Sequence, residues 1–141
     1  MRALLLVAGL GLAAAPAAAR SPVEGNWSNP ANSVTVRIAP CGGALCGRVV
    51  SASAGAKADA AAAGTERLVG TELMSGLEQT GDRSWHGEVF VPDRNIRSEA
   101  DFTLTGPNRL LVRGCALGGF LCKEQNWTRA AAAPVRTTRR R

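Results

Sequence analysis

The chain has 141 residues, 45% of them hydrophobic and 4% aromatic, with 17 basic and 11 acidic side chains and a single histidine. The formal charge of +6 does not describe a basic body: without Arg2 and the four arginines 136, 139, 140 and 141 at the end of the chain, the 17 basic residues become 12 against 11 acidic ones. A near-neutral body argues against nucleic acid as a partner, and about 120 residues suffice for one domain with one core.

Arg2 precedes an apolar run from Ala3 to Ala15 that Pro16 closes, and Ala17-Ala18-Ala19 supplies the small residues of a cleavage site. Residues 1–19 therefore read as a signal peptide cut near Ala19. The run is rich in Ala and Gly and shorter than the roughly 20 strongly apolar residues of a membrane span, so no stable membrane anchor is expected. The mature protein is expected in the periplasm or secreted. Residues 20–129 read as a single domain, and residues 130–141, opening on Ala130-Ala-Ala-Ala-Pro134, as a disordered basic tail.

Along the mature chain the dominant period is two, in short runs separated by Gly, Pro, Asn and Asp. Strands are expected near 24–28, 33–39, 45–51, 70–79, 84–91, 97–105, 109–115 and 121–129. The clearest alternation sets Ile96, Ser98, Ala100, Phe102 and Leu104 against Arg97, Glu99, Asp101, Thr103 and Thr105, one face buried and the other wet. The Ala- and Gly-rich stretch 53–65 allows one short helix, bounded by Gly55 and Gly64. Eight strands with mostly short connections fit a sandwich or a closed up-and-down barrel.

All four cysteines sit at hairpin tips, Cys41-Gly-Gly-Ala-Leu-Cys46 and Cys115-Ala-Leu-Gly-Gly-Phe-Leu-Cys122. The count alone allows three pairings. Because each pair flanks a Gly-Gly turn, and opposed residues of an antiparallel hairpin have Cα atoms ~4.5–5.5 Å apart, the expected bridges are Cys41 with Cys46 and Cys115 with Cys122. Register follows from the pairing. With Cys115 opposite Cys122, Arg113 faces Glu124 and Leu110 faces Trp127; the same rule puts Ala39 opposite Arg48 and Ile38 opposite Val49. Both bridges then lie on the face opposite the apolar one. Four thiolates also suit structural zinc, whose paired cysteines are usually separated by about two to four residues. The spacings of four and six, the Gly-Gly tips and the leader favour disulfides, so no metal is expected.

Candidate catalytic groups are few. His86 stands alone in a strand between Trp85 and Gly87, with no nucleophile at a motif spacing, and reads as structural. Glu99 and Asp101 project from one strand face and invite comparison with a glycosidase pair, but Arg97 and Thr103 share that face, which reads as solvated. No Gly-rich loop follows a strand and opens a helix, so no nucleotide cofactor is expected, and no cofactor of another kind is indicated.

Gly25-Asn26-Trp27 opens the first strand and Trp127-Thr128-Arg129 closes the last, a pairing that resembles the calycin signature of lipocalins. The resemblance implies that Trp27 plugs one end of a barrel and that Arg129 packs across it. More of the chain, in Glu24-Gly-Asn-Trp27, Ile38-Ala-Pro-Cys-Gly-Gly-Ala-Leu-Cys-Gly-Arg-Val49 and Val112-Arg-Gly-Cys115 through to Gln125-Asn-Trp-Thr-Arg129, resembles the exported bacterial family catalogued as domain of unknown function 2147. That resemblance implies a small calycin-like barrel outside the cytoplasm with no assigned activity. The chain departs from the family pattern at Ala-Lys57-Ala-Asp59-Ala-Ala-Ala-Ala-Gly64 and at Asn95-Ile-Arg-Ser98. The expectation is an all-β protein, an eight-stranded antiparallel up-and-down calycin-like barrel. Its expected role is non-enzymatic, binding a small, partly apolar ligand; the alternative is an interaction module or inhibitor of another envelope protein, with a filled barrel.

Overall fold

The computed structural model describes residue 11, residues 20–116 and residues 121–131. The expected signal peptide (apart from residue 11), the four arginines at the end of the chain and the second Gly-Gly turn lie outside the described residues. The strands are β1 (Gly25–Ser28), β2 (Val34–Cys41), β3 (Ala44–Ala52), β4 (Glu72–Gly81), β5 (Ser84–Val91), β6 (Ile96–Gly106), β7 (Arg109–Ala116) and β8 (Leu121–Arg129). Each pairs antiparallel with the next, and β8 returns to β1, closing an up-and-down barrel. Closure joins the two edge strands of the sheet at Trp27–Arg129 and Ser28–Thr128.

Alternation places the core. In β6, Ala100, Phe102 and Leu104 are buried, and they stand opposite Gly114, Val112 and Leu110 of β7. The alternation predicts Ile96 among them, but it is exposed, because it sits at the turn opposite Val91, itself exposed, beyond the packed part of the wall. Trp27, Ile38, Met74, Leu77, Trp85, Phe102 and Leu110 are each at most 1% exposed, so side chains fill the barrel axis. Glycines make room for them. A Cβ on Gly47 would lie 3.0 Å from the Met74 sulfur, and one on Gly87 would lie 2.6 Å from the Ser75 carbonyl.

β4 carries the main irregularity. Its register against β5 shifts between Ser75 and Glu78, where Gly76 adopts φ 58°. This bulge lets Leu77 enter the core and sets Glu78 opposite His86.

The connection from β3 to β4 contains α1 (Ala54–Ala62). Alanine supplies helix propensity, and Ser53 caps the start by accepting a 3.1 Å hydrogen bond from the Ala56 amide. Gly55 therefore does not bound the helix but lies in its first turn. Ala60 and Leu68 join the core, with Val34, Ala52 and Ala56 packed against it, so this segment covers the barrel end that lies opposite the N-terminus of β1.

The first hairpin corrects the expected register. Cys41 faces Ala44, Ala39 faces Cys46 and Val36 faces Val49. Gly42 and Gly43, at φ 62° and 86°, form a two-residue turn, which is tighter than one that would oppose the two cysteines directly. The shift is two residues, so Val36, Ile38 and Val49 still point inward. At the second hairpin the pairs are Cys115 with Cys122, Arg113 with Glu124 and Leu110 with Trp127, as the sequence implies.

Candidate functional site

The end where β1 begins and β8 stops is built around Trp27. Its indole is fully buried, and Nε1 donates to the Val23 carbonyl at 2.8 Å. Arg129 lies over the ring at 4.3 Å from the centroid. Its guanidinium donates to three carbonyls, Glu24 at 2.9 Å, Pro22 at 3.0 Å and Pro107 at 3.1 Å. Gly25 serves this contact twice: it sits at φ 127°, and a Cβ there would stand 2.7 Å from Arg129 Nη1. With each of its three nitrogens donating to backbone and its plane on an indole, Arg129 acts as a closure. A shallow groove along Gly106, Pro107 and Arg129 opens to solvent beside it.

The cysteines lie at opposite ends. Cys41 and Cys46 are joined, with Cα atoms 5.8 Å apart, at the Trp27 end; Cys115 and Cys122 are joined, with Cα atoms 4.0 Å apart, at the other. Cys46 is buried although its side chain belongs to the outer face, and it stands outside the core cluster. The sulfurs of Cys41 and Cys46 and a carboxylate oxygen of Glu72 lie within 4.8 Å of one another.

The outer wall gathers the titratable groups. Cross-strand pairing links Glu78 to His86, His86 to Asp101, Asp101 to Arg113 and Arg113 to Glu124, a row of alternating charge across five strands. His86 Nδ1 is 2.8 Å from Asp101 Oδ1, and Nε2 is 4.0 Å from Glu99 Oε2. Arg113 reaches Glu124 at 3.9 Å, and Arg97 reaches Glu88 at 3.4 Å while lying over Phe90. These pairs are solvent-exposed and contribute about 0–1 kcal/mol each. Beside His86 the β4 bulge leaves an open groove edged by Ser75, Glu78, Thr80, Glu88 and Glu99.

In the sequence His86 stands alone, and Glu99 and Asp101 read as a solvated face. The face is indeed exposed, but the β5–β6 hairpin brings all three together. The signal was available, since the Val91–Ile96 turn sets the register that pairs residue 86 with residue 101. The arrangement half resembles a catalytic dyad, yet the group facing Nε2 is the Glu99 carboxylate rather than a hydroxyl or thiol.

The hydrogen bond to Asp101 raises the His86 pKa above 6.5; desolvation, the next largest effect, opposes it, and the Asp101 and Glu99 charges add to the rise. Since the folded pKa exceeds the unfolded one, His86 contributes stability fully below pH 6.5 and loses it as pH rises through the raised pKa. An NMR titration of the imidazole is expected to show a midpoint above 6.5 that falls in Asp101→Asn. An unchanged midpoint in that variant would remove Asp101 as the cause.

Comparison with solved structures gives protein HP1028 from the human pathogen Helicobacter pylori, described as belonging to the lipocalin family, at a TM-score of 0.60 and 15% identity over 77% of this chain and 83% of that one. At that identity the likeness shows the fold, a lipocalin-like barrel. Among curated proteins none matches the sequence. The family model described as "Uncharacterized protein conserved in bacteria", domain of unknown function 2147, matches residues 25–129, from the Gly25 that admits Arg129 to Arg129 itself, and the chain belongs to that family.

Proposed function

We propose that this is an exported, non-enzymatic binding module that works through the outside of a filled barrel and engages another envelope macromolecule. The observation that carries the reading is the packed axis: Trp27, Met74, Leu77, Trp85, Phe102 and Leu110 occupy the volume in which a ligand-enclosing barrel keeps its cavity. Export is supported by the two bridges, and no helix among the described residues is long and apolar enough to cross a membrane. The groove beside His86, with Glu78, Glu88 and Glu99 on its edges, suits a partner that presents basic side chains.

Native mass spectrometry of the protein isolated from its own cell envelope tests this. The expected result is a protein-sized partner that is lost at raised salt and lost in the double variant Glu88→Lys, Glu99→Lys. A partner indifferent to both would overturn the assignment to this face.

One observation favours small-ligand binding as a second reading. Gln125 and Lys123 share the inward side of β8 with Trp127, yet both are exposed. A small, partly apolar anion would be held there, at the barrel rim. A co-purifying small molecule released by Lys123→Ala, in place of a protein partner, would move the function to that rim.

A further inference from the structure

The β2–β3 hairpin carries more chemistry than a bridge requires. Four residues separate Cys41 from Cys46, inside the spacing common to paired zinc thiolates, whereas six separate Cys115 from Cys122. The two-residue turn places Cys41 opposite Ala44 and Cys46 opposite Ala39, so the sulfurs meet diagonally on the outer face. From the neighbouring strand Glu72 brings its carboxylate to them, completing the group of three within 4.8 Å. Among the described residues that carboxylate pairs with Arg48 at 3.4 Å, and the Arg48 side chain is 61% exposed, a contact weak enough to exchange.

We propose that Cys41, Cys46 and Glu72 form a reduction-gated site for a thiophilic divalent cation of the zinc class. In the oxidised protein the S–S bond occupies both sulfurs, and the site cannot take a cation. A thiol reductant delivers two electrons and two protons, the S–S bond breaks, and the reductant leaves as its own disulfide. When the cation binds, the two thiols release their protons to solvent and ligate as thiolates. Glu72 supplies the third ligand and lets go of Arg48, and water fills the fourth position. Two sulfurs, one carboxylate oxygen and an open position make a set that zinc accepts and that magnesium or calcium, which require oxygen, do not. The burial of Cys46, 5% exposed, shields one thiolate from water, while Cys41 at the hairpin tip leaves a path for entry. The positive-φ glycines 42 and 43 set the tight turn that keeps the two sulfurs on the same outer face once the bond between them is broken.

The test uses the mature chain, reduced by a phosphine without oxygen and titrated with cobalt(II) as the spectroscopic stand-in for zinc. The reduced protein is expected to keep its β circular dichroism and to bind one cobalt with thiolate-to-metal charge-transfer absorption, which zinc then bleaches. The oxidised protein is expected to show none. Cys115→Ser with Cys122→Ser is expected to retain the signal, and Cys41→Ser to lose it. Should the double variant fail to fold, Cys41→Ser in the otherwise native chain makes the assignment alone. Glu72→Gln is expected to weaken binding about tenfold or more, since loss of even an outer-shell partner has about that effect. Absorption in the oxidised protein, no absorption in the reduced one, equal affinity in Glu72→Gln, or loss of the barrel on reduction would each overturn the proposal.

Discussion

Replacing Trp27 with alanine is expected to destabilise the barrel by about 3–5 kcal/mol, the usual range for truncating a fully buried aromatic. For a domain of this size that lowers Tm by on the order of 15 °C. The position makes the upper part of the range the better expectation. β1 is four residues long and meets β8 at only two register pairs, Trp27 with Arg129 and Ser28 with Thr128, so the barrel seam depends on side chains more than on its ladder. Removing the indole takes away the surface on which Arg129 lies and the hydrogen bond to Val23. Trp85→Ala is the informative control. That indole is equally buried, but β5 and β6 share eight register pairs, so its loss leaves a cavity inside an intact wall. Thermal unfolding of both, with hydrogen exchange at the β1 and β8 amides, separates the effects. Faster exchange along the seam is expected in Trp27→Ala alone. A loss below about 1 kcal/mol would show that Trp27 is not a core residue.

What was legible in the sequence followed from local rules. Alternation identified β6, because a wall with one wet face must repeat every two residues, and the Cys115–Cys122 hairpin could be registered on paper because its cysteines are directly opposed. At the first hairpin the same rule misplaces the pairs from Val36 to the tip by two. It still put Val36, Ile38 and Val49 on the correct face, since a two-residue slip preserves the side to which each residue points. The filled interior was not legible. Whether eight strands enclose a cavity depends on contacts such as Gly47 with Met74 and Gly87 with Leu77, between strands whose meeting depends on a bulge at Gly76. The acidic setting of His86 and the approach of Glu72 to Cys46 were hidden for the same reason. Each joins residues that are unremarkable alone and acquire meaning only from register.

Cleavage of the unreduced protein by trypsin, at Arg48, Arg67 and Arg113 among other sites, is expected to leave the two hairpin tips as separate fragments, each with its own internal bridge. The topology argues for this beyond the short sequence separation. β2 runs toward the end where β1 begins and turns there, while β7 runs toward the other end before its own turn, so crossed pairs would have to span the length of the barrel. Loops of six and eight residues stabilise by roughly 2–2.5 kcal/mol each in the chain-entropy model, so full reduction is expected to remove about 4–5 kcal/mol. Set against the about 5–15 kcal/mol of a typical domain, that loss lowers Tm, and a barrel stable by more than about 5 kcal/mol keeps its fold at 25 °C. The two bridges also act unequally. Cys115–Cys122 joins directly opposed residues and locks the register that keeps Leu110 and Trp127 inward, whereas Cys41–Cys46 ties a diagonal across a turn already set by Gly42 and Gly43. Cys115→Ser with Cys122→Ser is therefore expected to lower Tm more than Cys41→Ser with Cys46→Ser. Finding the tips covalently joined after digestion would discard this pairing and with it the placement of the hairpins at opposite ends.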